Sequence, residues 1–152
     1  MDAEFRSNLV LPGDAHPEAE PNNDDIDVIN VAKGSKLSGV PAHKGIISLG
    51  YNVLDDWDVR VIVNMASGQY FRGDESNQLR KVGGYAVVSL QSSYTYNDSL
   101  TAFLRIDNLL NRDYETFGIL GDAEEVIEGA DNPRFVSAAP PISVFAGVRY
   151  NF

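Results

Sequence analysis

Between residues 43 and 152 the chain passes through five stretches in which apolar and polar side chains alternate. In GIISLGYNV, Ile47, Leu49, Tyr51 and Val53 share one face, and Ile46, Ser48, Gly50 and Asn52 the other. In WDVRVIVNMASGQYF, Trp57, Val59, Val61, Val63 and Met65 oppose Asp58, Arg60, Ile62, Asn64 and Ala66. YAVVSLQSSYTY sets Ala86, Val88, Leu90, Tyr94 and Tyr96 against Tyr85, Ser89, Gln91, Ser93 and Thr95. LTAFLRIDNLL sets Leu100, Ala102, Leu104 and Ile106 against Thr101, Phe103, Arg105 and Asp107. In ISVFAGVRYNF the apolar set is Ile142, Val144, Ala146, Val148, Tyr150 and Phe152. A period of two means a β-strand with one oily face, so the pattern predicts an all-β, antiparallel sheet.

The connections are of two kinds. LDD and NDS are tight turns, whereas residues 9–42, 74–82 and roughly 111–141 are long and rich in Pro, Gly, Asn and acid. Short turns at one end and long loops at the other match the up-and-down plan of an outer-membrane barrel. The aromatic residues Tyr51, Trp57, Tyr94, Tyr96, Tyr150 and Phe152 stand near the tight-turn ends on the oily faces. Amphipathic rings placed there would form a girdle at a bilayer interface. A soluble antiparallel sheet with one face on a core would show the same alternation, and so would a small barrel built from several copies. Asp58, Arg60, Arg105, Asp107 and Arg149 on the polar faces suit a wet lumen and bulk solvent equally. The one-ended aromatic belt and the loop asymmetry favour the membrane.

Composition narrows the function. With 152 residues the chain has room for one domain, and 12 Lys plus Arg against 22 Asp plus Glu give a net charge of -10. A general nucleic-acid binder needs cations for phosphate, and this balance argues against one. There is no cysteine, hence no disulfide and no thiolate metal site. No apolar run reaches the ~18 residues of a membrane helix, which leaves strands as the means of crossing. MDAEFRSN has neither the basic nor the apolar region of a signal peptide.

Candidate chemistry is sparse. RGDESN puts Arg72, Asp74, Glu75 and Asn77 at an outer rim where they could touch a small ligand. GDAEEVIEG places Asp122, Glu124, Glu125 and Glu128 in the last long loop, as a cluster for a cation or basic ligand or simply as a solvated loop. Its spacing lacks the oxygen-ligand pattern of a calcium loop. His16 and His43 have no ligand partner in register, so no metal site is expected. Asp55 and Asp56 lie in a turn, where Asp is favoured for its backbone hydrogen bonds, and Gly83–Gly84 precede a strand rather than a phosphate-binding helix. Without Cys or a GxSxG motif, neither an enzyme nor a cofactor is expected.

The stretches SGVPAHKGIISLGYNV, ASGQYFRGDESN, LRIDNLLNRDYETFG and RFVSAAPPISVFAGVRYNF resemble the C-terminal end of the TonB-dependent outer-membrane receptors. The most specific is RIDNLLNRDYETFG, similar to the family's penultimate-strand signature, with Leu110 where Phe is frequent. The terminal strand ending in Phe152 resembles the signal read by the barrel-assembly machinery. The resemblance implies five full transmembrane strands plus a partial one, with DAEFRSN as the outer end of a barrel strand. Residues 1–42 would be that partial strand and a long extracellular loop, and residues 43–152 the C-terminal strands. Family barrels close with many more strands around a plugged lumen, preceded by a signal peptide, a TonB box and a plug. The chain is thus expected to be a fragment, not functional alone, that contributes closing strands and outer loops to an importer. Its setting would be the outer membrane of a Gram-negative bacterium. Its cargo would be a scarce ligand such as siderophore-iron, cobalamin or a carbohydrate. Implied partners are outer-membrane lipid, the barrel-assembly machinery and, through the N-terminal part alone, TonB, with no nucleic acid.

Overall fold

The computed structural model describes every residue except Met1, Asp2, Ile127 and Ala130. Its strands are β1 (Leu9–Pro12), β2 (Glu20–Pro21), β3 (Asp27–Val31), β4 (Lys44–Leu54), β5 (Trp57–Ala66), β6 (Tyr85–Asn97), β7 (Leu100–Asp107), β8 (Glu115–Leu120), β9 (Arg134–Ala138) and β10 (Ser143–Tyr150). A single helical turn, α1 (Ala123–Val126), separates β8 from β9. The chain divides into two compact units that interleave in sequence. One comprises Met1–His43, Ser67–Gly84 and Tyr114–Ala138; the other comprises Lys44–Ala66, Tyr85–Asp113 and Ala139–Phe152.

The second unit is a five-stranded sheet in the order β10-β7-β6-β5-β4, with every neighbouring pair antiparallel. These are the five alternating stretches of the sequence. Their registers carry the separate oily faces into one. Leu49, Val61, Leu90, Ile106 and Val144 form a single cross-strand row. One position along, Gly50, Arg60, Gln91, Arg105 and Phe145 form the corresponding row on the other face. Since a slip of one residue would move a strand's whole apolar set across the sheet, this agreement over four pairings fixes the register. Two-residue turns, Asp55–Asp56 and Asp98–Ser99, join β4 to β5 and β6 to β7. Asn97 Oδ1 secures the second by accepting from the backbone N–H of Ser99 (3.0 Å) and Leu100 (2.9 Å).

What the sheet does not do is bury its oily face. Leu49 is 74% exposed, Tyr51 71%, Val144 61% and Val148 71%. The buried hydrophobic residues are Ile29, Val31, Phe71, Val82, Leu120 and Ala123, all in the first unit, together with Val87 from the sheet. Val87 lies on the sheet's polar face, opposite Asn64. A soluble sheet would put its apolar face on a core; here the core belongs to the loops. Burying apolar surface is worth ~25 cal/mol per Å², so a bare face this wide calls for an apolar surround. The polar face is not uniformly polar either. Phe103 and Phe145 lie on it, and Phe103 covers Gly147 so closely that a Cβ there would meet its ring at 2.5 Å. β4 and β10 each have one neighbour among the described residues, so the sheet is open at both edges.

The stretch after β7 shows why its Asn residues matter. Asn108 (φ 51°) and Asn111 (φ 46°) both take the left-handed conformation that Asn tolerates better than most residues. Buried Asn108 accepts from Arg112 N (2.9 Å) and donates to the carbonyls of Arg112 (2.9 Å) and Pro140 (3.2 Å). Asn111 Oδ1 accepts from Ile142 N (2.9 Å), which ties the end of β7 to the start of β10.

The first unit holds a three-stranded sheet, β1-β3-β2, and the β8–β9 hairpin. Both lie in stretches expected to be irregular loop. The described part of DAEFRSN does not enter the barrel-type sheet as a partial sixth strand. Ala3 and Phe5 hydrogen-bond instead to Leu37, Ser35 and Gly34 of the same unit, and Glu4 forms a bridge with Lys36. Asp2 lies outside the described residues.

Candidate functional site

The hairpin between β5 and β6 organises the first unit. Gln69 and Val82 pair across it, and Phe71, Val82 and Leu120 form a buried cluster on which Ala15 and Leu79 pack. Asp74 lies at its tip with no exposed surface. Its Oδ1 accepts from Gln78 N (2.9 Å) and Ser76 Oγ (3.2 Å), its Oδ2 accepts from Leu79 N (3.0 Å), and His16 Nε2 lies 3.2 Å from Oδ1. His16 Nδ1 accepts the Glu18 N–H (3.1 Å), so in the neutral ring the proton sits on Nε2 and points at Asp74. A carboxylate is tolerated in a dry site when its lone pairs are met in this way.

Within RGDESN, Asp74 is fully buried and its carboxylate holds the hairpin tip together. Asn77, at φ 63°, receives the Lys36 N–H on its Oδ1 and donates to the Lys36 carbonyl at 2.9 Å. Glu75 accepts from Ser38 Oγ and from Gly73 N. Arg72 differs: its backbone pairs with β8 while its side chain remains exposed.

The acidic loop is placed differently. Asp122 Oδ1 caps α1, accepting from Glu124 N (3.0 Å) and Glu125 N (3.4 Å). Residues 14–17, Asp122, Glu124, Asp131 and Pro133 line an open cleft of about 360 Å³. Glu125 and Glu128 are exposed outside that lining. The sequence singled out the acids of 122–128 but not Asp14, which is distant in the chain. Among the described residues no set of three or more His, Asp or Glu side chains has the arrangement to hold a metal ion.

The aromatic set gathers at the turn end of the sheet. Trp57 stands opposite Tyr94, Tyr51 opposite Val59 and Tyr150 opposite Leu100. Tyr150 and Phe152 meet edge to face at 5.2 Å. Trp57 Nε1–H donates to Ser92 Oγ (2.8 Å), which gives the indole an internal partner on an otherwise oily face.

An antiparallel sheet, apolar outside, with tight turns at one end and long structured connections at the other, is the wall of a transmembrane β-barrel. A sequence profile described as "TonB dependent receptor-like, beta-barrel" matches residues 14–109, well over half the chain, and the chain belongs to this family. It is 29% identical over 104 residues to the metal-pseudopaline receptor CntO of two strains of Pseudomonas aeruginosa, a match covering 66% of this chain and 14% of the relative. In fold it is similar to the ferric yersiniabactin uptake receptor FyuA from Yersinia pestis. There the TM-score is 0.63 at 19% identity, over 86% of this chain and 19% of that one. The copper transporter OprC gives a TM-score of 0.59 at 19% identity, over 84% and 20%. The matched stretch thus spans about a seventh of the curated relatives' length.

Proposed function

We propose that this chain supplies part of the membrane wall and of the outer loops of a TonB-dependent receptor that imports a metal or a metal chelate across an outer membrane. The observation that carries this reading is the bare apolar face continuous over β10, β7, β6, β5 and β4, backed by a face that carries Arg60, Gln91, Arg105 and Asp107. A cargo of this class is supported by the names of its relatives: a metal-pseudopaline receptor, a ferric yersiniabactin uptake receptor and a copper transporter. The side chains left to meet cargo are Arg72, Glu124 and Glu125, together with the Asp122 carboxylate oxygen that does not cap α1. Tyr51, Trp57, Tyr94, Tyr96 and Tyr150 act as the interfacial girdle, and Phe152 with Tyr150 as the assembly signal. TonB engages the receptor through an N-terminal part outside this segment.

The test is uptake of iron, copper and zinc chelates by metal-starved cells with and without the gene. Loss of uptake of one chelate, restored by the gene only when TonB is present, supports the reading. Unchanged uptake of all three, with the protein in the soluble fraction, contradicts it.

A further inference from the structure

We infer that the tripeptide Arg72–Asp74 anchors both walls of the acid-lined cleft, and that the His16–Asp74 hydrogen bond is the clasp that sets how far it opens. Nothing in this depends on which cargo the receptor carries.

The two walls reach the anchor by different means. The wall from β8 and α1 is joined through the main chain: Arg72 N–H donates to Gly118 O (2.9 Å), and Leu120 N–H donates to Arg72 O (2.8 Å). Among the described residues, the wall formed by residues 14–17 has no such ladder. Its polar tie is a side chain, with His16 Nε2 set 3.2 Å from Asp74 Oδ1 and 3.3 Å from Ser76 Oγ. Both partners are almost wholly removed from water, at 1% and 0% side-chain exposure. Water therefore cannot take the place of either partner without the wall moving.

The dependence runs one way. Asp74 keeps three donors of its own turn, from Ser76, Gln78 and Leu79, when His16 is gone. His16 Nε2 keeps only the Ser76 Oγ contact (3.3 Å) when Asp74 is gone. Closed, the clasp makes residues 13–18 and the β8–α1 segment move as one body; open, it frees the first wall while the second stays on its ladder. The three long connections thus form a device in which one buried polar contact between residues 58 positions apart sets the cleft width, beside the packing of Ala15 on the Phe71–Val82–Leu120 cluster.

Hydrogen exchange on the full chain in detergent micelles tests this with three variants. His16→Ala is expected to raise amide exchange in residues 13–21 by roughly tenfold, the scale of one lost buried hydrogen bond, and to leave residues 74–79 and β8–β9 at wild-type rates. His16→Gln, whose amide N–H can still reach Asp74, is expected to restore most of the protection. Asp74→Asn, which cannot accept both backbone N–H groups, is expected to release residues 13–21 and 74–79 together. Strands β5 and β6 serve as the folding control. Wild-type exchange in 13–21 for His16→Ala overturns the clasp. So does a His16→Gln variant as unprotected as His16→Ala, because that result assigns the effect to packing. Spin labels at Asp14 and Glu124 give an independent reading: the distance between them widens in His16→Ala, and an unchanged distance refutes the device.

Discussion

Trp57 and Tyr94 stand directly opposite each other in the β5–β6 ladder, next to the Asp55–Asp56 turn. Trp57 is the only tryptophan of the chain, so its fluorescence reports this one site. In lipid vesicles its emission is expected to be quenched most by bromine placed just below the headgroups and least by bromine at the bilayer centre, since interfacial rings settle at headgroup level. Strong quenching by aqueous iodide with none from brominated lipid would remove Trp57 from the girdle.

The two faces of the sheet should answer oppositely to charge. Val61→Arg places a cation mid-strand on the oily face, where it is expected to cost about 2–4 kcal/mol. Gln91→Arg, on the polar face opposite Arg60, is expected to cost well under half as much. Denaturant unfolding in vesicles measures both. Equal penalties would mean that the faces are not differently solvated.

Asn108 is expected to be a stability hot spot. Asn108→Ala loses the side-chain bonds to Arg112 and Pro140 and leaves at φ 51° a residue that tolerates the left-handed region less well than Asn, at about 1–3 kcal/mol for buried groups left unmet. Asn108→Gly relieves the backbone but not the lost bonds, so it should recover only part of the loss. Thermal unfolding of the three proteins ranks them, and an unchanged midpoint in Asn108→Ala would contradict the assignment.

Two glycines are set by close approach. A Cβ at Gly118 would stand 2.6 Å from both Phe71 and Val82, so Gly118→Ala is expected to loosen the loop core by about 1–3 kcal/mol. At Gly147 the three nearest atoms all belong to the Phe103 ring, so Gly147→Ala is expected to be destabilising singly and relieved in combination with Phe103→Leu. A double-mutant cycle showing no coupling would rule out that contact.

The sheet was legible in the sequence because period two is local. Ile47 through Val53 and Trp57 through Met65 reveal their common face without any knowledge of their neighbours, and the observed pairings then join those faces. The stretches WDVRVIVNMASGQYF and LTAFLRIDNLL run on past the strands, but the faces named in them end at Ala66 and Asp107, where β5 and β7 end and Asn108 turns the chain. The small strands β1, β3, β8 and β9 were missed because they are four to six residues long and owe their pairing to partners supplied by the fold. The burial of Asp74 is hidden in the sequence for the same reason. Nothing near RGDESN in sequence announces His16, so a buried organiser looks like an exposed rim carboxylate.

The central claim is that lipid covers the face shared by Val59, Val61 and Val63, while Arg60 and Ile62 face away from it. Spin labels placed singly at positions 59 to 63 in reconstituted protein test it most directly, by collision with oxygen and with a water-soluble nickel chelate. The account predicts oxygen access peaking at 59, 61 and 63 and nickel access peaking at 60 and 62. Access without alternation, or with its phase reversed, would contradict it.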